Sequence, residues 1–387
     1  MNRRLPVTLV GGWPGAGKTS LLHHFISEHR GGYLAVLVEN PGPLNLDAKA
    51  LRGLCGAMRR AQDTVLEIPV GNEAAQIEWI ASRVREFSLS GRVERVLIEV
   101  DGTANAARLG RHFGLLPGQP DTFAPWAELH HIVCVVDALD FFRSARSPSP
   151  DAVLRDFQQA QIRGANILVL NKCDLVADSE REACTRLLRS LNPEAQIIET
   201  GYGEVPPETW ARAGTLQALE RALRDRSPEL EIDGDRGGQN GTNLTSMLYR
   251  AYRPLHSARF WDWFNADHPG LLRVKGLIWL ATRNLLVGGV SRTRWQNGCG
   301  AAGIWWDALP REEWPQDPGA LLRMQETWRE PYGDRRQELV LLGEAPQLSN
   351  VTLQLNACLL NAEEYARPVA EWTKFPDPFP EWNLEGE

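Results

Sequence analysis

Short, nearly continuous apolar runs alternate with amphipathic stretches between residues 5 and 200. Runs rich in β-branched residues and without polar alternation are typical of strands buried on both faces. Amphipathic stretches with helical spacing lie between several of them, as at residues 72–87 and 179–191. This alternation predicts an α/β fold with a parallel sheet and helices on both faces. The predicted strands are Leu5–Val10, Tyr33–Asn40, Thr64–Val70, Arg95–Asp101, Ile132–Asp137, Ala165–Asn171 and Ala195–Thr200.

The pattern changes after residue 224. Residues 225–243 are charged, rich in glycine and without apolar periodicity, which predicts a linker. We therefore expect a nucleotide-type α/β domain at residues 1–224 and a smaller α+β domain at residues 244–387. In the second domain the predicted strands are Ser246–Leu255, Leu271–Ala281 and Gln337–Gly343, the predicted helices are Ala258–Asp267 and Asn350–Ala366, and Phe375–Trp382 is predicted to pack as an extended, proline-rich arm.

Composition and charge exclude several classes of protein. The formal net charge of -7 argues against a nucleic-acid partner, which would require a basic face. No two of the six cysteines have C-x-x-C spacing, so neither a zinc ribbon nor a thioredoxin motif is indicated. The first apolar run is too short for a signal peptide, and no run approaches the roughly 18 apolar residues of a membrane span. We expect a cytoplasmic protein without a membrane partner.

A phosphate-binding loop follows the first predicted strand. The segment Gly12–Thr19 fits G-x-x-x-x-G-K-[ST], and it lies between a strand and a helix, as that motif requires. Glycines allow consecutive N–H groups to point at a phosphate, the lysine bridges the β- and γ-phosphates, and the threonine hydroxyl faces Mg²⁺. The residues that we expect to contact the nucleotide here are Gly12, Gly15, Ala16, Gly17, Lys18, Thr19 and Ser20.

The base-recognition signal is N-K-x-D at the end of a predicted strand, formed by Asn171, Lys172 and Asp174. The Asp174 carboxylate can accept hydrogen bonds from guanine N1–H and the exocyclic amine, whereas adenine presents the wrong donors there. We expect Asn171 and Lys172 to support this loop and cover the base. The pattern therefore favours GTP and GDP over adenine nucleotides as ligands.

A third group of residues lies at the end of the predicted strand Arg95–Asp101. An acidic residue in this place, Glu99, is expected to hold Mg²⁺ through water together with Thr19. The N–H of Gly102 is expected to approach the γ-phosphate and to sense its loss. We predict slow GTP hydrolysis in which Lys18, Thr19 and Glu99 are the catalytic residues. Hydrolysis would release the switch segments Glu39–Asp47 and Asp101–Arg108.

The motifs GGWPGAGKTSLL, IEVDG, VVDAL and NKCDL resemble, in order and spacing, those of the CobW family of P-loop GTPases. YRAYRPLHSARFWDW, LLRVKGLIWLATR and GIWWD resemble the CobW C-terminal domain, so the resemblance covers nearly the whole chain. It implies a GTPase that carries or delivers a metal ion, often zinc or cobalt, to a client apoenzyme. It also implies a homodimer across the nucleotide face.

The sequence departs from the family at the metal motif. The resemblance implies a C-x-C-C motif after the third strand, where Gly71–Glu73 stand here, and an Asn–Glu pair after the second strand, which is reversed as Glu39-Asn40. Thiolates select zinc and similar ions, so the usual ligands for zinc or cobalt are missing. A mixed site of Glu39, Glu73 and Cys55 remains one hypothesis.

The sequence leaves three other functions open. A zinc or cobalt chaperone with unusual ligands predicts nucleotide-dependent metal binding. A GTP-dependent scaffold predicts tight binding with negligible turnover. A small-molecule kinase shares the phosphate loop, but N-K-x-D and the absence of an evident acceptor pocket in the sequence disfavour it.

Overall fold

The structure is a computed structural model that describes residues 4–39, 51, 55, 64–69, 71–146, 152–211, 214–224, 244–314 and 318–382. The chain divides into two compact units, Met1–Glu231 and Ile232–Glu387. The predicted linker at residues 225–243 lies outside the described residues, so the boundaries at 224 and 244 stay predictions.

The first unit contains a seven-stranded parallel sheet in the order β3-β2-β4-β1-β5-β6-β7. The first strand lies in the middle of the sheet, so the loop that follows it opens at the centre of the carboxyl edge. The α/β prediction is confirmed. The strands are β1 (Leu5–Gly12), β2 (Tyr33–Glu39), β3 (Thr64–Ile68), β4 (Val93–Glu99), β5 (Ala127–Asp137), β6 (Ile167–Asn171) and β7 (Gln196–Glu199).

Helices cover both faces of this sheet. Successive strand residues point to opposite sides, so the apolar strands present side chains to be buried on each face. Leu9 belongs to the core on one face, and its neighbour Val10 belongs to the core on the other. The helices are α1 (Lys18–Glu28), α2 (Glu73–Ser90), α3 (Ala107–Gly110), α4 (Ala138–Arg146), α5 (Ala152–Arg163), α6 (Asp178–Leu191), α7 (Glu208–Ala211) and α8 (Leu216–Arg224). Helices α2, α6 and α8 pack on the Leu9 side, and α1 packs on the Val10 side.

The predicted strand boundaries need correction at several ends. Strand β5 begins at Ala127 rather than Ile132, because its first residues, AELHH, pair with β1 although they alternate polar and apolar side chains. Strands β3 and β4 end earlier than predicted, at Ile68 and Glu99. Asn40 and the rest of the predicted switch to Asp47 lie outside the described residues.

The second unit contains a five-stranded antiparallel sheet in the order β11-β10-β9-β12-β8. Three of these strands match predicted runs; β10 and β11 were missed. Both missed strands are rich in glycine and carry little apolar signal, and they form by pairing as a hairpin. The strands are β8 (Leu244–Ala251), β9 (Leu271–Ile278), β10 (Leu286–Thr293), β11 (Asn297–Ile304) and β12 (Gln337–Glu344).

Aromatic and aliphatic side chains from α9 and α11 pack on one face of this sheet. The helices of this unit are α9 (Ser257–Asn265), α10 (Pro318–Thr327), α11 (Ala345–Cys358), α12 (Ala362–Tyr365) and α13 (Val369–Trp372), so the single helix predicted at 350–366 is two helices with a break at Leu359–Asn361. The tail packs as an extended arm: Arg283 bonds the Asp377 carboxylate at 2.8 and 3.0 Å, and Phe379 is buried. In the part of the chain that the structure describes, no helix is long and apolar enough to span a bilayer.

Candidate nucleotide-binding site

The loop between β1 and α1 has a backbone that only glycine tolerates. Gly12, Gly15 and Gly17 have φ angles of 129°, 92° and 104°, in the left-handed region that disfavours residues with a Cβ. A Cβ on Gly12 would lie 2.8 Å from the Val135 backbone nitrogen. A Cβ on Gly17 would lie closer than 3.0 Å to the Asn171 side-chain nitrogen. The predicted glycines are therefore required by the loop conformation itself.

Lys18 begins helix α1 and is buried at the base of this loop. Its Nζ donates a hydrogen bond to the Gly12 carbonyl oxygen at 2.9 Å, so the side chain folds back over the loop. The N-terminal turn of α1 contributes the positive end of a helix dipole at the same place. Ala16 is buried, whereas Ser20 is exposed on the first turn of α1. A cation and a helix N-terminus together form an anion-binding arrangement.

The structure brings Thr19 and Glu99 together across 80 residues of sequence. Glu99 is the last residue of β4 and is only 4% exposed. The Thr19 hydroxyl donates to its carboxylate at 3.2 Å. Carboxylate and hydroxyl oxygens are hard donors of the kind that Mg²⁺ takes beside phosphates. The donor set that the sequence predicted therefore fits Mg²⁺ chemically.

Gly102 lies directly against the phosphate loop. A Cβ at this position would lie 2.6 Å from the Pro14 backbone nitrogen, so a larger residue would push the two loops apart. Gln161 on α5 holds the loop from the other side, because its Nε2 donates to the Gly102 and Ala104 carbonyl oxygens at 3.0 Å each. Sequence reasoning missed Gln161.

Asn171 joins the base-recognition loop to the phosphate loop. Its Nδ2 donates to the Ala16 carbonyl oxygen at 2.9 Å, and its Oδ1 accepts the Gly203 N–H at 2.9 Å. The side chain is buried, at 1% exposure. One amide therefore fixes three segments: the phosphate loop, the end of β6 and the loop after β7.

Lys172 and Asp174 follow Asn171 at the edge of the sheet. Lys172 has a left-handed backbone with φ of 60°, and its Nζ pairs with Asp137 at 2.6 Å. Asp174 is exposed. A Cβ on Gly201 would lie 2.9 Å from the Asp174 Oδ1, so glycine at 201 keeps the carboxylate accessible. The Asp174 carboxylate can therefore accept hydrogen bonds from a ligand.

The loop Thr200–Gly203 was not singled out in the sequence, although its two glycines directly after a predicted strand were a usable signal. Thr200 donates to the Gly201 and Glu204 carbonyl oxygens at 2.8 and 2.7 Å, which closes the loop on itself. Tyr202 has a positive φ of 55° and is 74% exposed. An aromatic ring thus stands in solvent one residue from the glycine that contacts Asp174.

At residues 71–73, where the family resemblance implies a C-x-C-C motif, the chain has a helix cap and a glutamate in place of thiolates. Asn72 caps helix α2, since its Oδ1 accepts the Ala75 N–H at 2.9 Å. Glu39 and Glu73 do converge, but on the guanidinium of Arg108. Cys55 packs in the core on the other face of the sheet, so the hypothesis of a Glu39, Glu73 and Cys55 site is wrong. Among the described residues, no three His, Cys, Asp or Glu side chains form a group suited to a metal ion.

The buried cysteines of the first unit have the properties of packing residues. Burial raises the pKa of Cys134 to about 12 and that of Cys184 to about 11, so both thiols are protonated at neutral pH. The thiolate is the form that ligates metals. These side chains therefore contribute to the core as small apolar groups.

Comparison with known proteins identifies both units. The family description "CobW/HypB/UreG, nucleotide-binding domain" matches residues 6–199, and "Cobalamin synthesis protein cobW C-terminal domain" matches residues 244–359. The first match covers the loops that carry Lys18, Glu99 and Asp174. The second covers all five strands of the antiparallel sheet.

Two curated relatives and one solved structure are similar to this chain. A zinc-regulated GTPase metalloprotein activator from Dictyostelium discoideum is 26% identical over 407 residues, covering 97% of this chain and 84% of the relative. A zinc chaperone CobW from Pseudomonas aeruginosa is 26% identical over 229 residues, covering 52% of this chain and 58% of the relative. Zn(II)-bound YjiA GTPase from E. coli aligns at 15% identity over 92% of this chain and 100% of that one, with a TM-score of 0.36. On the two domain matches, the chain belongs to the CobW/HypB/UreG family of P-loop GTP-binding proteins and has a CobW-type C-terminal domain.

Proposed function

We propose that this protein binds and slowly hydrolyses GTP with Mg²⁺, and that it acts as a conformational switch in metal homeostasis or metalloenzyme maturation. The observation that carries the proposal is the double hydrogen bond of Asn171 to Ala16 and Gly203. It makes the phosphate loop and the N-K-x-D loop parts of one site. A single nucleotide can therefore be held by its phosphates and its base together.

At the phosphate end, Lys18 releases the Gly12 carbonyl oxygen and binds the β- and γ-phosphates, while the N–H groups of the loop bind the β-phosphate. Thr19 and Glu99 would hold Mg²⁺, which neutralises phosphate charge during transfer. The Gly102 N–H binds the γ-phosphate from the opposite side. Positioning and charge neutralisation account for most of the catalysis in such a site, so we expect slow turnover.

At the base end, Asp174 accepts hydrogen bonds from guanine N1–H and N2–H₂. Lys172 pairs with Asp137 at 2.6 Å, and its aliphatic stem would contact the base. Adenine offers no donor pair at this edge, so the contact with the carboxylate would select guanine. GTP and GDP are accordingly the ligands we assign, and residues 1–224 are the domain that binds them.

Of the two predicted switch segments, the one that the structure describes throughout is the loop that carries Gly102, Asp101–Arg108. It is held by Gln161 through two carbonyl groups and contacts the phosphate loop at Pro14. Loss of the γ-phosphate removes the ligand of the Gly102 N–H and frees this loop to move. Names of the relatives, a metalloprotein activator and a zinc chaperone, support a client protein as the partner that responds. A cytoplasmic setting is supported by six cysteines without a disulfide among them. A homodimer across the nucleotide face stays part of the proposal.

The first experiment measures GTP turnover by the purified full-length protein in Mg²⁺, with Lys18→Ala as the control for contaminating activity. We expect turnover that depends on Mg²⁺ and Lys18, and binding of GDP but not ADP. Turnover equal in wild type and Lys18→Ala would refute the GTPase assignment. Tight GTP binding without turnover would instead indicate a GTP-dependent scaffold.

A further inference from the structure

Three charged side chains from separate elements meet beside the switch loop. Glu39 ends β2, Glu73 begins α2, and Arg108 lies on α3. The Arg108 Nη2 pairs with Glu39 Oε1, and its Nη1 lies 3.6 Å from Glu73 Oε1. The side chains of Arg108 and Glu39 are 8% and 7% exposed, so this pair is buried, whereas Glu73 faces solvent. We refer to Glu39, Glu73 and Arg108 as the switch cation cluster.

The cluster is attached to the loop that carries Gly102. The second oxygen of Glu39 accepts the Asp101 N–H at 3.1 Å. Asp101 in turn accepts the Thr103 N–H at 2.9 Å, which closes the turn around Gly102. Both carboxylate oxygens of Glu39 therefore have donors, and both donors belong to the segment Asp101–Arg108. The cluster fixes the start and the end of the same loop to β2.

We propose that Arg108 is the resident cation of this corner, in the place where the family resemblance implies a metal ion, and that it positions Gly102 for the γ-phosphate. The proposal builds on the GTPase function given above and narrows it: this switch works without a transition-metal cargo at this corner. A guanidinium carries its charge permanently and matches a carboxylate geometrically. It neutralises Glu39 without any bound ion.

The donor chemistry opposes a zinc or cobalt ion at the cluster. An incoming cation would have to displace Arg108 from Glu39, and separating a buried ion pair leaves an uncompensated charge. His112 interacts electrostatically with the cluster: burial lowers its pKa, Glu73 opposes that effect, and the cations Arg108 and Arg111 lower the pKa further. Those same two arginines would repel a divalent ion. Cys55 lies in the core on the other sheet face.

The test combines metal retention with nucleotide kinetics on the full-length protein. Wild type and Glu39→Gln are incubated with Zn²⁺ or Co²⁺, with and without GTP, desalted, and assayed for bound metal and for the visible absorption of Co²⁺. We expect no retained ion that depends on Glu39, and GTP turnover that does not respond to either metal. One equivalent of Zn²⁺ or Co²⁺ retained by wild type and lost in Glu39→Gln would overturn the proposal.

The positioning role is tested with Arg108→Gln, Arg108→Lys and Glu39→Gln. Loss of loop alignment should lower the turnover number for GTP by about 10-fold or more in Arg108→Gln and Glu39→Gln, since small misplacements in such sites are costly. GDP affinity, which does not use the Gly102 contact, should stay at the wild-type value. Arg108→Lys should recover part of the turnover because it keeps the charge. The double variant that combines Arg108→Gln with Glu39→Gln should hydrolyse GTP no more slowly than either of these single variants.

A matched control is Arg83→Gln, which removes an arginine from a surface pair with Glu86 on α2. It should keep wild-type turnover. Wild-type turnover in Arg108→Gln, or GDP affinity lost in parallel with turnover, would overturn the positioning role. Failure of the proposed GTPase function has a different signature, which is turnover that survives Lys18→Ala, so the two failures are distinguishable.

Discussion

The contact between Gly17 and Asn171 gives a prediction that two substitutions will not add. A Cβ on Gly17 would lie closer than 3.0 Å to Asn171 Nδ2, and the next atom that it meets is Asn171 Cγ at 3.5 Å. Beyond the chain neighbours of Gly17, no other described atom lies within 4 Å of that Cβ. The steric conflict of Gly17→Ala therefore comes from a single side chain, and Asn171→Ala should remove it.

The magnitudes follow from the hydrogen bonds of Asn171. Asn171→Ala leaves the Ala16 carbonyl and the Gly203 N–H without their partner, which costs about 2–4 kcal/mol of unfolding free energy in total. Gly17→Ala displaces the same amide and adds about 1–2 kcal/mol of left-handed backbone strain, or about 3–6 kcal/mol altogether. The double variant loses the hydrogen bonds once, so it should cost about 3–6 kcal/mol rather than the additive 5–10 kcal/mol.

Urea denaturation of the full-length variants measures these costs. The relevant transition is the one that GDP shifts, because only the nucleotide-binding unit is stabilised by that ligand. Gly91→Ala is the matched control for strain without a clash: Gly91 has φ of 63° at the end of α2, and beyond its neighbours in the chain no described heavy atom lies within 4 Å of its added Cβ. Gly91→Ala should cost about 1–2 kcal/mol and should add to Asn171→Ala. Additive costs for Gly17→Ala and Asn171→Ala would refute the proposed contact.

Three further predictions concern the base, the switch loop and the C-terminal arm. Asp174→Asn should weaken GTP binding by at least about 100-fold and strengthen binding of xanthosine nucleotides, whose C2 carbonyl accepts from the new amide; unchanged GTP affinity in a competition assay would contradict the base assignment. Gln161→Glu places a carboxylate against two carbonyl oxygens and should slow GTP turnover by about 10-fold or more at constant GDP affinity. Gln158→Glu on the same helix should have no effect on turnover. Arg283→Ala removes the bonds to Asp377 and should destabilise the second unit by about 3 kcal/mol; an unchanged rate of proteolysis of the tail would argue against this role.

Much of the nucleotide-binding unit could be predicted from sequence because its signals are local. The phosphate loop requires glycines at fixed spacing, and the structure shows why at Gly12 and Gly17, where a Cβ would collide with neighbouring atoms. The strands buried on both faces appear in sequence as continuous apolar runs. Thr19 and Glu99 could be paired in advance because Glu99 ends strand β4 and Thr19 lies after strand β1, and these two parallel strands are adjacent.

The elements that sequence reasoning missed depend on partners far along the chain. Strands β10 and β11 contain five of the glycines and few β-branched residues, and they are strands because they pair with each other and with β9. Gln161 gains its role only when α5 packs beside the Gly102 loop, 59 residues earlier in the chain. Neither feature has a local pattern from which it could have been inferred.

The reversed pair Glu39-Asn40 shows the difference between a missing motif and a replaced one. From sequence, the absence of C-x-C-C indicated only that thiolate ligands were lacking. In the structure, Glu39 accepts hydrogen bonds from Arg108 and from Asp101, so the acidic residue at the end of β2 is already neutralised and already tied to the Gly102 loop. Arg108 and Glu39 are therefore better understood as one structural unit. A relative with both a metal motif and this same Glu–Arg pair would have to bury two cations, a metal ion and a guanidinium, at the same place in the fold. Because burying both charges is costly, that combination is the one to look for when the proposal is tested across the family.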